Sequence, residues 1–107
     1  NWNGKQVVPA EWVSNSTVPL DKHVQPNAGD QFTSDAWGYG YQWWIPGPGV
    51  SDYTAHGIYN QFIYVNPESG VVIAKTSSNF NFIEERQYTK DAHIAIFRAI
   101  AKSISEK

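Results

Sequence analysis

Between Gly38 and Thr76 the chain alternates short aromatic and β-branched runs with tight turn sequences, and nothing else in the sequence constrains the fold as strongly. Tyr39-Gly40-Tyr41-Gln42-Trp43-Trp44-Ile45 reads as one aromatic-rich strand closed by the turn Pro46-Gly47-Pro48-Gly49. Tyr53-Thr54-Ala55-His56 reads as a second strand ending at Gly57, and Gln61-Phe62-Ile63-Tyr64-Val65-Asn66 as a third. Pro67-Glu68-Ser69-Gly70 supplies a hairpin turn into a fourth, Val71-Val72-Ile73-Ala74-Lys75-Thr76. Consecutive strands joined by turns this short can pair only antiparallel, because a parallel crossover needs a dozen or more residues.

Helical signals flank this block. Val7-Val8-Pro9-Ala10-Glu11-Trp12-Val13 predicts a short helix with Pro9 in its first turn, where a missing N–H costs nothing. Ser14 to Thr17 frays it and Pro19 stops it. Residues 18–36 are rich in Pro, Asn, Gly and Asp, lack periodicity, and predict a long loop. From about Thr89 to Ser105 a 100° step places Ile94, Ile96, Phe97, Ile100, Ala101 and Ile104 on one arc of about 160°, with Arg98 and Lys102 pointing away. The expected architecture is α+β: an antiparallel sheet of about four strands, packed by the C-terminal helix, with a short N-terminal helix.

Composition excludes several functions. The net charge of −2, with lysines scattered singly, offers no electrostatic footprint for nucleic acid or anionic lipid. The chain has no Cys, so it cannot carry disulfides, a thiolate nucleophile or a Cys-based zinc site; this suits a periplasmic or extracellular protein. The three His lack metal-ligand spacing, so no metal or other cofactor is expected. No apolar run approaches the ~20 residues of a membrane span. A start at Asn1-Trp2-Asn3 and the absence of Met lead us to expect a processed or excised chain.

Three segments then take on meaning together: Gly38-Tyr39-Gly40-Tyr41-Gln42-Trp43-Trp44, Tyr53-Thr54-Ala55-His56-Gly57, and Gln61-Phe62-Ile63-Tyr64-Val65-Asn66-Pro67. Their order and spacing resemble the C-terminal region of class C β-lactamase-like serine hydrolases of the penicillin-binding-protein fold, nearest the 6-aminohexanoate-dimer hydrolase and esterase branch. Gly4 to Val13 resembles the helix entering that region, and the last helix matches as well. The resemblance implies that residues 1–107 are a C-terminal fragment of such a domain. It also implies that the full-length parent hydrolyses a small amide or ester through an acyl-enzyme.

In that family Ser-x-x-Lys supplies nucleophile and base, Tyr-x-Asn a second proton-transfer group, and Lys-Thr-Gly or a variant borders the active site. Ala55-His56-Gly57 occupies the third position, with Ala for Lys and His for Thr, a departure that points away from penicillins and towards esterase or amidase substrates. The resemblance makes the Ile58 N–H one of two oxyanion donors beside Gly57, and puts Ala55, His56, Tyr59 and Trp43 at the substrate. Physically, a backbone N–H on a strand end stabilises a developing oxyanion without reorganisation, and Gly lets a substrate approach the backbone.

No Ser in the chain is followed three residues later by Lys, so the chain alone is expected to be inactive and to depend on a missing N-terminal portion of the same protein. A sheet face meant for that portion would promote self-association. Plainer readings stand beside these. His56 can simply satisfy a hydrogen bond, and His93 reads as a packing residue with one satisfied nitrogen. Trp43 and Trp44 must face opposite sides of a strand. Asn60 suits a left-handed turn position. Asp30, Asp35 and Asp52 have nothing to fix them as a catalytic carboxylate pair. The rival function is a stand-alone binding module, whose five Trp, six Tyr and five Phe would form a platform for flat ligands without catalysis.

Overall fold

The computed structural model describes residues 1–19, 37–47 and 49–107. The chain forms two compact units, Asn1–Gly47 and Pro48–Lys107. All the strand pairs assigned within them are antiparallel, and the α+β expectation holds: a C-terminal helix packs on strands and a short helix precedes them. The predicted long loop, with His23, Asp30 and Asp35, falls almost wholly outside the described residues.

In the first unit, helix α1 spans Ala10–Ser16, so it starts later than predicted and Pro9 stands before it as the N-cap residue. The helix continues through Ser14 to Ser16, where the Ser16 and Thr17 hydroxyls both donate back to the Val13 carbonyl. The predicted strand from Tyr39 to Ile45 is instead a hairpin of two strands, β1 (Gly38–Gly40) and β2 (Trp43–Ile45). Tyr41 and Gln42 form its two-residue turn with φ of 47° and 70°, the primed geometry that matches strand twist. Neither is a residue type that advertises such a turn, which is why the segment reads as continuous. Tyr41 lies against Trp12 of α1, with ring centroids 5.7 Å apart. Across the hairpin Tyr39 packs on Trp44 at 4.7 Å.

The second unit is a meander of β3 (Tyr53–Gly57), β4 (Gln61–Asn66) and β5 (Val71–Lys75), followed by helix α2 (Arg86–Ser105). These strands match the predicted runs to within a residue. Gly70, at φ 67°, closes the β4–β5 turn, and the Asn66 side chain accepts from the Ser69 N–H at 3.0 Å. Alternation along β4 buries Phe62, Tyr64 and Asn66 under α2, while Ile63 on the opposite face is exposed. Register places Ile63 between Ala55 and Ala74, and Val65 between Tyr53 and Val72. That second face is therefore apolar, and Ile63 and Val72 on it are 47% and 66% exposed.

Helix α2 begins three residues earlier than predicted, with the Thr89 N–H donating to the Glu85 carbonyl. Its buried face also differs. Ile94, Phe97 and Ala101 are buried as expected, but Ile96, Ile100 and Ile104 are exposed, and Lys90 is fully buried. The helix is turned by roughly 50° from the predicted arc. Phe97 meets Phe62 and Tyr64 at 5.6 and 5.3 Å, and Arg98 turns inward rather than to solvent. Among the described residues, no helix is long and apolar enough to cross a membrane.

Candidate functional site

Of the residues singled out by the resemblance, Gly57, Ile58 and Tyr59 lie together at one end of the meander, where β3 runs into β4. Gly57 pairs with Gln61, and Ile58–Asn60 forms a tight three-residue turn between them. Gly57 has φ −103° and ψ 169°, extended backbone open to any residue. A Cβ built there would lie 3.6 Å from the Gln61 Cβ, ordinary van der Waals contact. Neither its conformation nor its neighbours require glycine.

Ile58 is 61% exposed, and the two residues after it are both left-handed, Tyr59 at φ 60° and Asn60 at φ 62°. The left-handed turn expected of Asn60 is thus present and extends to Tyr59. Asn60 is buried, and its side-chain oxygen meets no donor. Tyr59 packs edge-on against Phe80 and Phe82, with centroids 5.6 and 5.1 Å away, and its carbonyl accepts from the Asn79 N–H. Phe80 and Phe82 are contributions to this end of the unit that sequence reading missed. Both lie in an irregular segment without periodicity to flag them.

His56 and Ala55 alternate onto opposite faces of β3. His56 stacks flat on Phe62 at 4.4 Å, and Phe62 stacks in turn on His93 at 4.7 Å, making a three-ring sandwich under α2. Burial lowers the His56 pKa to about 4; the nearby Asn60 side chain opposes this shift, and the cations Lys90 and Arg86 add to it. His56 is therefore neutral at pH 7, with Nε2 buried and without a partner. Ala55 pairs with Ile63 on the meander's apolar face. Trp43 belongs to β2 in the first unit.

His93 does more than pack. Its Nδ1 contacts the Thr89 carbonyl, and its Nε2 lies 2.7 Å from the Lys75 Nζ, so both nitrogens are engaged rather than one.

The sequence is read as lacking Tyr-x-Asn because Asn60 directly follows Tyr59, but Tyr64-Val65-Asn66 does spell the motif. The spacing puts both side chains on the helix face of β4, where they are structural. The Tyr64 hydroxyl donates to Asp52 at 3.0 Å and accepts from the Asn66 amide at 3.2 Å. Burial raises its pKa further from a proton-transfer role. Asp52, far from forming a catalytic pair, is the buried partner of Arg98.

At the other end of the meander, Val50, Asn66, Glu68, Ser69, Arg98, Lys102 and Ser105 line an open groove of about 280 Å³. Its two cations each already face a carboxylate, Arg98 that of Asp52 and Lys102 that of Glu106 at 3.8 Å. Among the described residues no group of His, Asp or Glu is arranged to hold a metal ion.

Comparison with protein-family models finds no match, and comparison with curated proteins finds none either.

Proposed function

We propose that this chain is the C-terminal portion of a β-lactamase-like serine hydrolase that cleaves a small amide or ester through an acyl-enzyme. Its contribution is the Gly57–Ile58 strand end, where the Ile58 N–H serves as an oxyanion donor and Gly57 admits the substrate. Tyr59 and Ala55 contribute to the pocket. His56 acts from behind it as a packed, neutral ring. The nucleophile lies on the portion of the protein that carries Ser-x-x-Lys.

One observation carries this reading. Gly57 is a glycine that its own fold does not require, close to the left-handed pair Tyr59–Asn60. Backbone strain of this kind persists where surroundings enforce it and collects at sites that meet another molecule. The exposed apolar face around Ile63 and Val72 supports a further body packing there.

A non-catalytic binding module is favoured by the exposure of aromatics: Phe80 beside Tyr59 is 79% exposed, and Trp2 is 72% exposed. Fluorophosphonate labelling separates the two. The hydrolase reading expects no adduct and no p-nitrophenyl ester turnover from this chain alone, and a single labelled serine in the full-length parent. A labelled serine within residues 1–107 overturns the fragment assignment; an unlabelled, inactive parent leaves the binding module.

A further inference from the structure

Strand pairing closes the left-handed pair Tyr59–Asn60, as it does Tyr41–Gln42, but non-glycine residues disfavour this conformation, and at Tyr59–Asn60 polar contacts add to the restraint. Two contacts act on the carbonyls of this pair. The Asn79 N–H donates to the Tyr59 carbonyl at 3.3 Å, and the Lys75 ammonium donates to the Asn60 carbonyl at 3.2 Å. The second is charge-assisted and therefore the stronger kind.

Lys75 is itself held. It ends β5 opposite Phe62, on the helix face of the meander, and its Nζ donates to Nε2 of His93 at 2.7 Å. An ammonium has no lone pair to offer, so Nε2 must be the acceptor, and Nδ1 must carry the proton that goes to the Thr89 carbonyl. Stacking on Phe62 fixes the imidazole plane. A continuous path thus runs from the α2 backbone through His93 and Lys75 to the Asn60 carbonyl.

We propose that Lys75 is the positioning residue of the Ile58–Asn60 turn and that His93, as its Nδ1–H tautomer, aims it. Holding the Asn60 carbonyl fixes the peptide planes of a three-residue turn, and with them the direction of the Ile58 N–H. Lys75 touches no substrate. Its catalytic consequence rests on the hydrolase reading; the restraint itself does not, and the two are measured separately.

The restraint is tested in the chain as it stands, by NMR. In wild type, nitrogen shifts of His93 should show a protonated Nδ1 and a bare Nε2; the opposite tautomer overturns the proposal without any variant. Lys75→Met removes the donors at similar length, and amide exchange at Ile58–Gln61 should rise about tenfold, the effect of one lost charged hydrogen bond. Amides of Val65 and Val72, in the same meander, should keep wild-type rates, and Lys75→Arg should restore protection of the turn. Uniformly faster exchange throughout the unit, or an unmoved turn, rejects the positioning role. In the full-length hydrolase Lys75→Met should lower kcat about tenfold with KM within about twofold, the pattern of an interaction realised in the transition state. If the parent lacks hydrolase activity while the exchange pattern holds, the functional reading fails and the restraint stands.

Discussion

Arg98 reaches from α2 to the buried carboxylate of Asp52 through two near-parallel bonds, Nε to Oδ2 at 2.7 Å and Nη2 to Oδ1 at 2.9 Å. Their separation in sequence is 46 residues, and the pair ties the last helix to the start of β3. Tyr64 donates a third bond to the same carboxylate, which has no contact with water. Removing the guanidinium leaves a buried charge with only a phenol to answer it. Arg98→Leu should therefore cost about 2–4 kcal/mol in urea unfolding, reduced from the fully buried case because the Arg98 side chain is about one-third exposed. Replacing Asp52 and Arg98 together by apolar residues should cost less than Arg98→Leu alone.

The turn of α2 about its axis makes a second prediction. Phe97 packs on Phe62 and Tyr64 and is buried, so Phe97→Ala should cost about 3–5 kcal/mol and unfold much of this small unit. Ile100 is 40% exposed, and Ile100→Asp should cost less than about 1 kcal/mol. Thermal melts of the two variants side by side check the assignment, since the sequence-based arc puts Ile100, not Arg98, towards the sheet.

Gly57→Val separates function from folding. The added Cβ meets the Gln61 side chain at ordinary contact distance and the backbone there is extended, so melting should stay within a few degrees of wild type. In the full-length hydrolase the same change crowds the oxyanion donor, and turnover should fall roughly 10²–10³-fold. Near-normal turnover in a folded parent would remove this strand end from the chemistry.

His56 makes stability depend on pH in a defined direction. Its folded pKa is about 4, below the ordinary 6.5 of the unfolded chain. Between those values the unfolded chain binds a proton that the folded chain refuses, so stability is complete above pH 6.5 and falls as pH drops towards 4. His56→Phe keeps the stack on Phe62 and cannot titrate. Denaturant melts across this window should show wild type losing stability relative to His56→Phe, and parallel curves would contradict the burial of the ring.

The strands β3, β4 and β5, their antiparallel order and the existence of a last helix are all written locally. Alternation of Phe62, Tyr64 and Asn66 with Ile63 and Val65, and the Pro67–Gly70 turn, act over a few residues and leave little choice. The clustering of Gly57, Ile58 and Tyr59 follows for the same reason, because they are neighbours in the chain. The β1–β2 hairpin escapes notice because Tyr41 and Gln42 carry no turn signature; their positive φ values are imposed by the strand pairing around them. The face that α2 buries is likewise invisible to periodicity. Three isoleucines outvote one arginine in any count along the helix, yet a carboxylate 46 residues away requires that arginine, and desolvating a charge outweighs the exposure of Ile96, Ile100 and Ile104. Lys75, His93 and Asn60 converge only once β5 and α2 are docked. Hydrophobic spacing is a local property of the chain, whereas the partner of a buried polar group is chosen by the tertiary fold, and here that choice set both the rotation of the helix and the restraint on the turn.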